Sequence, residues 1–121
     1  MSEIRATTIS DLAGTGPATL TGQTASKAWV NFNGTGTVAI RQSGNVSSIT
    51  DVGTGDYRVN FTTALTDADY SVNTNAGDVG ATKFDRFVTP YSLSTGSVSI
   101  TVRDSGGGLA DNPLVALTIF R

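Results

Sequence analysis

Cysteine and histidine are both missing from this 121-residue chain. Their absence excludes disulfide stapling and zinc sites built on thiolate or imidazole. It also excludes a cysteine nucleophile and a Ser-His-Asp triad assembled within the chain. Proline occurs three times, and methionine and tryptophan once each. Aromatic residues make up 7% of the chain and charged residues 15%. The expected core is therefore aliphatic and thin, and solubility rests on Thr, Ser, Asn and Gly. With 8 Lys and Arg against 10 Asp and Glu the formal charge is -2, and no basic run marks a nucleic-acid face. No apolar run approaches the roughly 18 residues that a membrane-spanning helix needs. Met1-Ser2-Glu3-Ile4-Arg5 lacks the apolar segment of a signal peptide. The expectation is a soluble chain made in the cytoplasm, with no nucleic-acid partner and no membrane insertion.

The chain has the length of one ordinary domain, and its 38% of hydrophobic residues suffice for a single core. A domain this small buries a limited share of its surface, and oligomerisation often completes such a core. Residues 1–26 differ from the rest. They are rich in Thr, Gly and Ala, with isolated apolar residues at Ile4, Ile9, Leu12 and Leu20 and a breaker at Gly14-Thr15-Gly16-Pro17. They read as an extended arm that needs a partner surface, with those four residues as the docking contacts. A disordered tail is the alternative.

From residue 27 to 121 the signal is period-2 alternation, the mark of strands. Ala28, Val30 and Phe32 alternate with Lys27, Trp29 and Asn31, and Val38 and Ile40 follow the Gly34-Thr35-Gly36 break. Val46 to Val52 is a third strand, and Tyr57, Val59 and Phe61 give the cleanest alternation. Tyr70 and Val72 start a strand that should dissolve from Asn73 onward. Phe87 to Leu93 is interrupted by Pro90, which predicts an edge strand or a bulge. Val98, Ile100 and Val102 alternate, Ser105-Gly106-Gly107-Gly108 reads as a flexible loop, and Val115, Leu117 and Ile119 share one face of a last strand. The pattern predicts an all-β fold, an antiparallel, jelly-roll-like β-sandwich of about eight short strands behind the N-terminal arm.

Acidic residues are the remaining chemical equipment. Asp51, Asp56, Asp67, Asp69, Asp104 and Asp111 all fall near predicted turns, where Asp commonly bonds local amides. Asp67-Ala68-Asp69 lacks the glycine and terminal glutamate of a calcium loop, so a capped turn is the expectation. No catalytic residue, metal or cofactor is expected. Trp29 lies opposite the apolar face of its strand. It can cover the second face of the sheet, pack on a neighbouring subunit or stack on a sugar ring, and Phe87 and Tyr91 carry the same options.

The run Lys27-Ala28-Trp29-Val30-Asn31-Phe32-Asn33-Gly34-Thr35-Gly36-Thr37-Val38-Ala39-Ile40-Arg41 resembles a segment of bacteriophage tail-fibre proteins. The likeness continues through Asn45 to Asp51, Gly53 to Tyr57, Val59 to Ala64 and Asp69-Tyr70. Ile9 to Pro17 resembles the lead-in of those proteins, and Val115 to Arg121 their closing strand. The resemblance implies a virion-surface structural protein, a β-rich knob that is usually a homotrimer, without catalytic residues. A shaft does not fit into the 26 preceding residues, which span at most about 90 Å when extended. The expected role is therefore a capsid-surface decoration or cement protein, or a separately encoded fibre tip, with other capsid or tail proteins as partners. The alternative is a receptor-binding module that reads host surface glycans.

Overall fold

Alternating side chains point to opposite faces of a strand, so an apolar-polar alternation commits one face to a core. The computed structural model describes residues 2–3, 5–8, 10, 13–14, 21–78 and 85–121. These residues form eight strands: β1 (Ser26–Asn33), β2 (Ala39–Gly44), β3 (Val46–Gly53), β4 (Asp56–Phe61), β5 (Ser71–Gly77), β6 (Phe87–Leu93), β7 (Ser97–Arg103) and β8 (Leu114–Phe120). They build two four-stranded sheets, ordered β2-β1-β8-β5 and β3-β4-β7-β6. All pairings are antiparallel. No helix occurs among the described residues. The all-β sandwich predicted from alternation is the fold. The four arm residues Ile4, Ile9, Leu12 and Leu20 lie outside the described residues.

The core comes from the four inner strands. Ala28, Val30 and Phe32 of β1, Tyr57, Val59 and Phe61 of β4, Val98, Ile100 and Val102 of β7, and Val115, Leu117 and Ile119 of β8 are all buried. Each large side chain buried this way stabilises the fold by roughly 1.5–3 kcal/mol. Aromatics enter this mostly aliphatic core as two edge-to-face pairs. Phe32 meets Tyr57 with ring centroids 5.2 Å apart, and Phe61 meets Tyr70 at 6.0 Å. Such pairs add about 0.5–1.5 kcal/mol beyond their burial.

The structure corrects two local expectations. The strand begun at Val72 does not dissolve at Asn73 but runs to Gly77. Its whole length pairs with β8, from Ser71 opposite Phe120 to Gly77 opposite Leu114. Asn73 and Asn75 are exposed while Val72, Thr74 and Ala76 are half-buried, so the ladder and a weak inward face outweigh the poor strand propensity of Asn. The segment Ser105–Gly108, read as a flexible loop, is a tied turn. Asp104 Oδ1 accepts from the amides of Gly106 and Gly108, each at 3.0 Å. The Gly107 amide donates to the Asp104 carbonyl, and the Asp104 amide to the Gly108 carbonyl.

The chain changes sheet between β2 and β3 at Asn45, a non-glycine residue with φ 55°. Asn tolerates that left-handed conformation better than most residues. Its side chain also joins the sandwich end, with Nδ2 donating to the carbonyls of Lys27 and Thr63 and Oδ1 accepting from the Thr63 amide. Ser26 at the start of β1 lies opposite Phe120 at the end of β8. The residues leading into β1 and the terminal Arg121 therefore leave from one end of the sandwich, which we call proximal. The turns at 34–38 and 54–55 and the connection 104–113 close the distal end.

Candidate binding cleft and the polar cluster behind it

The three aromatics singled out in the sequence are all solvent-accessible: Trp29 is 39% exposed, Tyr91 53% and Phe87 61%. The fold does not bring them together. Trp29 stands on the outer face of the first sheet, opposite Gly44 on β2 and Thr118 on β8. Its indole lies against Gly44, where an added Cβ would collide with the ring nitrogen. The ring therefore covers backbone at a position where any larger residue would displace it.

Phe87 and Tyr91 share β6, the edge strand of the other sheet. The predicted effect of Pro90 is seen twice there. The strand is an edge, and the register with β7 shifts between Pro90 and Ser92, which leaves Tyr91 as the extra residue of a bulge. Bulges re-aim side chains and are frequent beside functional sites. The Tyr91 side chain crosses the neighbouring β7, and its hydroxyl donates to Asp56 Oδ1 on β4 at 2.8 Å. Asp56, Thr89, Tyr91, Thr101, Arg103 and Leu109 line a shallow cleft of about 460 Å³ on this outer face. The strand order places them side by side, since Thr89 lies opposite Thr101, and Thr101 opposite Asp56. Leu109 reaches the cleft because the connection after β7 folds back and bridges Leu109 to Arg103. Phe87 faces Arg103 across the strands at the distal rim.

The cleft holds one carboxylate and one guanidinium that make no ion pair with each other. The three ion pairs among the described residues are Arg5–Glu3, Arg86–Asp85 and Arg121–Asp67. Arg103 donates from Nη1 to the Gly107 carbonyl at 2.8 Å. Asp56 accepts from Tyr91 at one oxygen. Both side chains keep hydrogen-bonding capacity beyond these contacts.

A second polar group of residues lies at the distal end, where Asn112 and Tyr57 are buried and Asp111 reaches them from the exposed rim. Asn112 is 1% exposed. Its Nδ2 donates to the Gly77 carbonyl and its Oδ1 accepts from Arg86 Nε, each at 2.6 Å. Its carbonyl accepts from the Gly34 amide at 2.8 Å. Beside it, the Tyr57 hydroxyl sits 2.8 Å from both the Gly34 carbonyl and Asp111 Oδ1, so one proton is shared between two acceptors. Asp111 Oδ1 also accepts from the Gly55 amide at 2.8 Å. Gly55 is required here twice over. Its φ is +62°, and an added Cβ would lie 2.6 Å from the Ala110 nitrogen and the Val102 carbonyl oxygen. Burial, then the hydrogen bond and charge of Asp111, push the Tyr57 phenol well above its ordinary range. Tyr57 thus stays a neutral donor.

The turn aspartates sort by partner. Asp67 takes the Arg121 guanidinium on both oxygens, at 2.8 and 2.6 Å, and its Oδ1 also accepts from the Asp69 amide at 2.9 Å. Asp67-Ala68-Asp69 is accordingly a capped turn locked to the C-terminal arginine. Arg121 and the Asp69 amide hold the Asp67 carboxyl down at about 2. Among the described residues no three His, Cys, Asp or Glu side chains gather in a metal-holding group. Sequence reasoning named Tyr91 but missed Arg103 and Leu109 as its neighbours, and it placed Asp56 only in a turn. The one available signal was Pro90, which announced a bulge without giving its aim. Compared against protein-family models, curated proteins and solved structures, the chain matches none.

Proposed function

We propose that this chain is a non-enzymatic virion structural protein of the bacteriophage fibre type, a β-knob attached to its particle through residues 1–26 and assembled as a homotrimer. The observation that carries the reading is the polarity of the sandwich. The residues leading into β1 and the terminal Arg121 leave at the proximal end, while the distal end is closed by short turns and the hydrogen-bonded Tyr57–Asp111–Asn112 cluster. Such a body suits attachment at one end and display at the other. The segment with the dense fibre-like resemblance, Lys27 to Tyr70, spans the chain from the second residue of β1 past the end of β4. It supplies β1 and β2 to one sheet and β3 and β4 to the other. Capsid decoration or a separately encoded fibre tip is the role, with other capsid or tail proteins as partners and the virion surface as the location.

The test removes residues 1–26. The truncated chain is expected to keep its cooperative melt and its trimeric mass in sedimentation, and to lose co-sedimentation with particles. Undiminished particle binding by the truncated chain refutes the arm, and a monomeric mass for the full chain refutes the trimer.

A second reading, a receptor-binding module for host surface glycans, is favoured by the cleft under Tyr91. That cleft lies on the outer face toward the distal half, away from the attachment end.

A further inference from the structure

We infer, on the basis of that receptor-binding reading, that the cleft on β4, β6 and β7 is the glycan subsite and that its ligand is a neutral pyranose stacked on Tyr91. The first support is preorganisation. Tyr91 is half-exposed, yet its ring is held at both ends, by the bulge at its backbone and by the hydrogen bond from its hydroxyl to Asp56. An aromatic ring held this way offers a flat apolar face at little cost in conformational freedom. The C–H face of a pyranose complements it.

The second support is the polar set around that ring. A sugar ring carries hydroxyls that both donate and accept. Asp56 supplies a carboxylate acceptor, Arg103 a guanidinium donor, and Thr89 and Thr101 hydroxyls that do either. Asp56 and Arg103 are not paired with each other, so a ligand need not break an ion pair to reach them. Their charges are opposite and share one cleft, so the lining has no net charge to attract an ionic ligand and suits a neutral one with both donors and acceptors. The volume of about 460 Å³ falls in the small-ligand range.

The third support excludes the obvious competitor, an extended peptide added to the sheet edge. Strand addition needs a regular row of edge donors and acceptors. Pro90 removes a donor from β6 and the adjoining bulge breaks its row. β5 also lies against β6, with Thr74 Oγ1 donating to the Val88 carbonyl at 3.1 Å.

The experiment probes the full chain with a printed array of bacterial surface polysaccharides and, in solution, with methyl glycosides of glucose, galactose, mannose and N-acetylglucosamine beside glucuronate and sialic acid. Amide NMR shifts give the affinities. Neutral glycosides are expected to bind and to shift residues of β6 and β7. Tyr91→Ala should weaken binding by up to about tenfold, the worth of one aromatic contact. Tyr91→Phe and Asp56→Asn should weaken it severalfold, and Trp29→Ala should leave it unchanged. Tyr91→Phe and Asp56→Asn carry the test if Tyr91→Ala does not fold. Binding that survives all three cleft substitutions overturns the subsite and leaves the receptor reading standing. Binding of the acidic sugars alone overturns the neutral class. An array without any bound glycan overturns both the subsite and the receptor reading.

Discussion

The distal cluster around buried Asn112 and Tyr57 and the outer cleft share tyrosine, aspartate and arginine, and they differ in whether the protein completes their hydrogen bonds. In the cluster, Tyr57 and Asp111 bond to each other, and the cluster ties together Gly34, Gly55, Gly77 and Arg86. In the cleft, Tyr91 and Asp56 also bond to each other, but Arg103, Thr89 and Thr101 surround them without closing a network. One tyrosine–aspartate pair therefore holds three connections of the fold, and the other leaves donors and acceptors facing outward. Buried polar groups must be satisfied internally, because an unpaired one costs about 1–3 kcal/mol. Exposed ones have water as a partner and are free to exchange it for a ligand. The contrast separates a cluster that the fold completes from a cleft that it leaves open, without appeal to residue type.

The sharpest way to break this contrast is to truncate the hub of the closed cluster. Asn112→Ala removes the partner of the Gly77 carbonyl and one partner of Arg86, whose side chain is 9% exposed. The expected loss is about 2–3 kcal/mol, read as a lower urea midpoint at unchanged slope. Asp56→Ala in the cleft should stay within about 0.5 kcal/mol of the parent, as surface changes usually do. Equal losses at the two positions would show that the cleft is structural as well.

A subtler variant acts on the shared proton. Tyr57→Phe keeps the ring against Phe32 and deletes the hydroxyl, leaving the Gly34 carbonyl without that donor. About 1–2 kcal/mol should be lost at neutral pH. The pH dependence gives a second readout. The folded phenol titrates above its ordinary value of 10.0, with burial as the largest cause. Between that value and the folded one, the unfolded chain releases a proton that the native state keeps, so stability falls as pH rises above about 10. Thermal melts across that range should show a shallower alkaline decline for Tyr57→Phe. A decline of unchanged steepness would remove Tyr57 as its cause.

The same contrast explains what could be read in advance. The strands β1, β4, β7 and β8 were legible because strong apolar residues alternate through each of them, as Val98, Ile100 and Val102 do in β7. The length of β5 was not, because its inward face after Val72 is only Thr74 and Ala76 and its support comes from β8, far along the chain. Asp111 was legible only as a turn aspartate, and no local pattern marked Asn112. Their partners Gly55, Tyr57, Gly77 and Arg86 are brought to them only by the packing of the two sheets. Pro90 announced the bulge, but the aim of Tyr91 toward Asp56 depends on the order β6-β7-β4, which no local pattern encodes. One member of the cleft, Tyr91, was thus visible as an exposed aromatic, and its polar neighbours were hidden in topology.

At the proximal end the smallest effect is expected, and it tests whether exposed pairing matters for the fold at all. Asp67 and Arg121 form a two-pronged pair that remains partly exposed. The hydrogen bonds from Arg121 and from the Asp69 amide hold the Asp67 carboxyl at about 2, against an ordinary value of 3.8. Its folded value is the depressed one, so its contribution is complete above the ordinary value and is lost as pH falls through about 2. Salt should weaken the Arg121 part, since exposed charges are screened. Arg121→Ala removes the first and larger cause and leaves the Asp69 amide in place. Carboxyl NMR titration should then move the Asp67 midpoint upward, part of the way to its ordinary value. Melting temperatures of parent and variant should converge as the pH is lowered from 4 toward 2. An Asp67 that titrates at its ordinary value in the parent would mean that the pair does not persist in solution. The proximal end would then rest on the Asn45 bonds, the Phe61–Tyr70 contact and the bonds from Tyr70, Phe61 and Leu65 to the 94–97 turn.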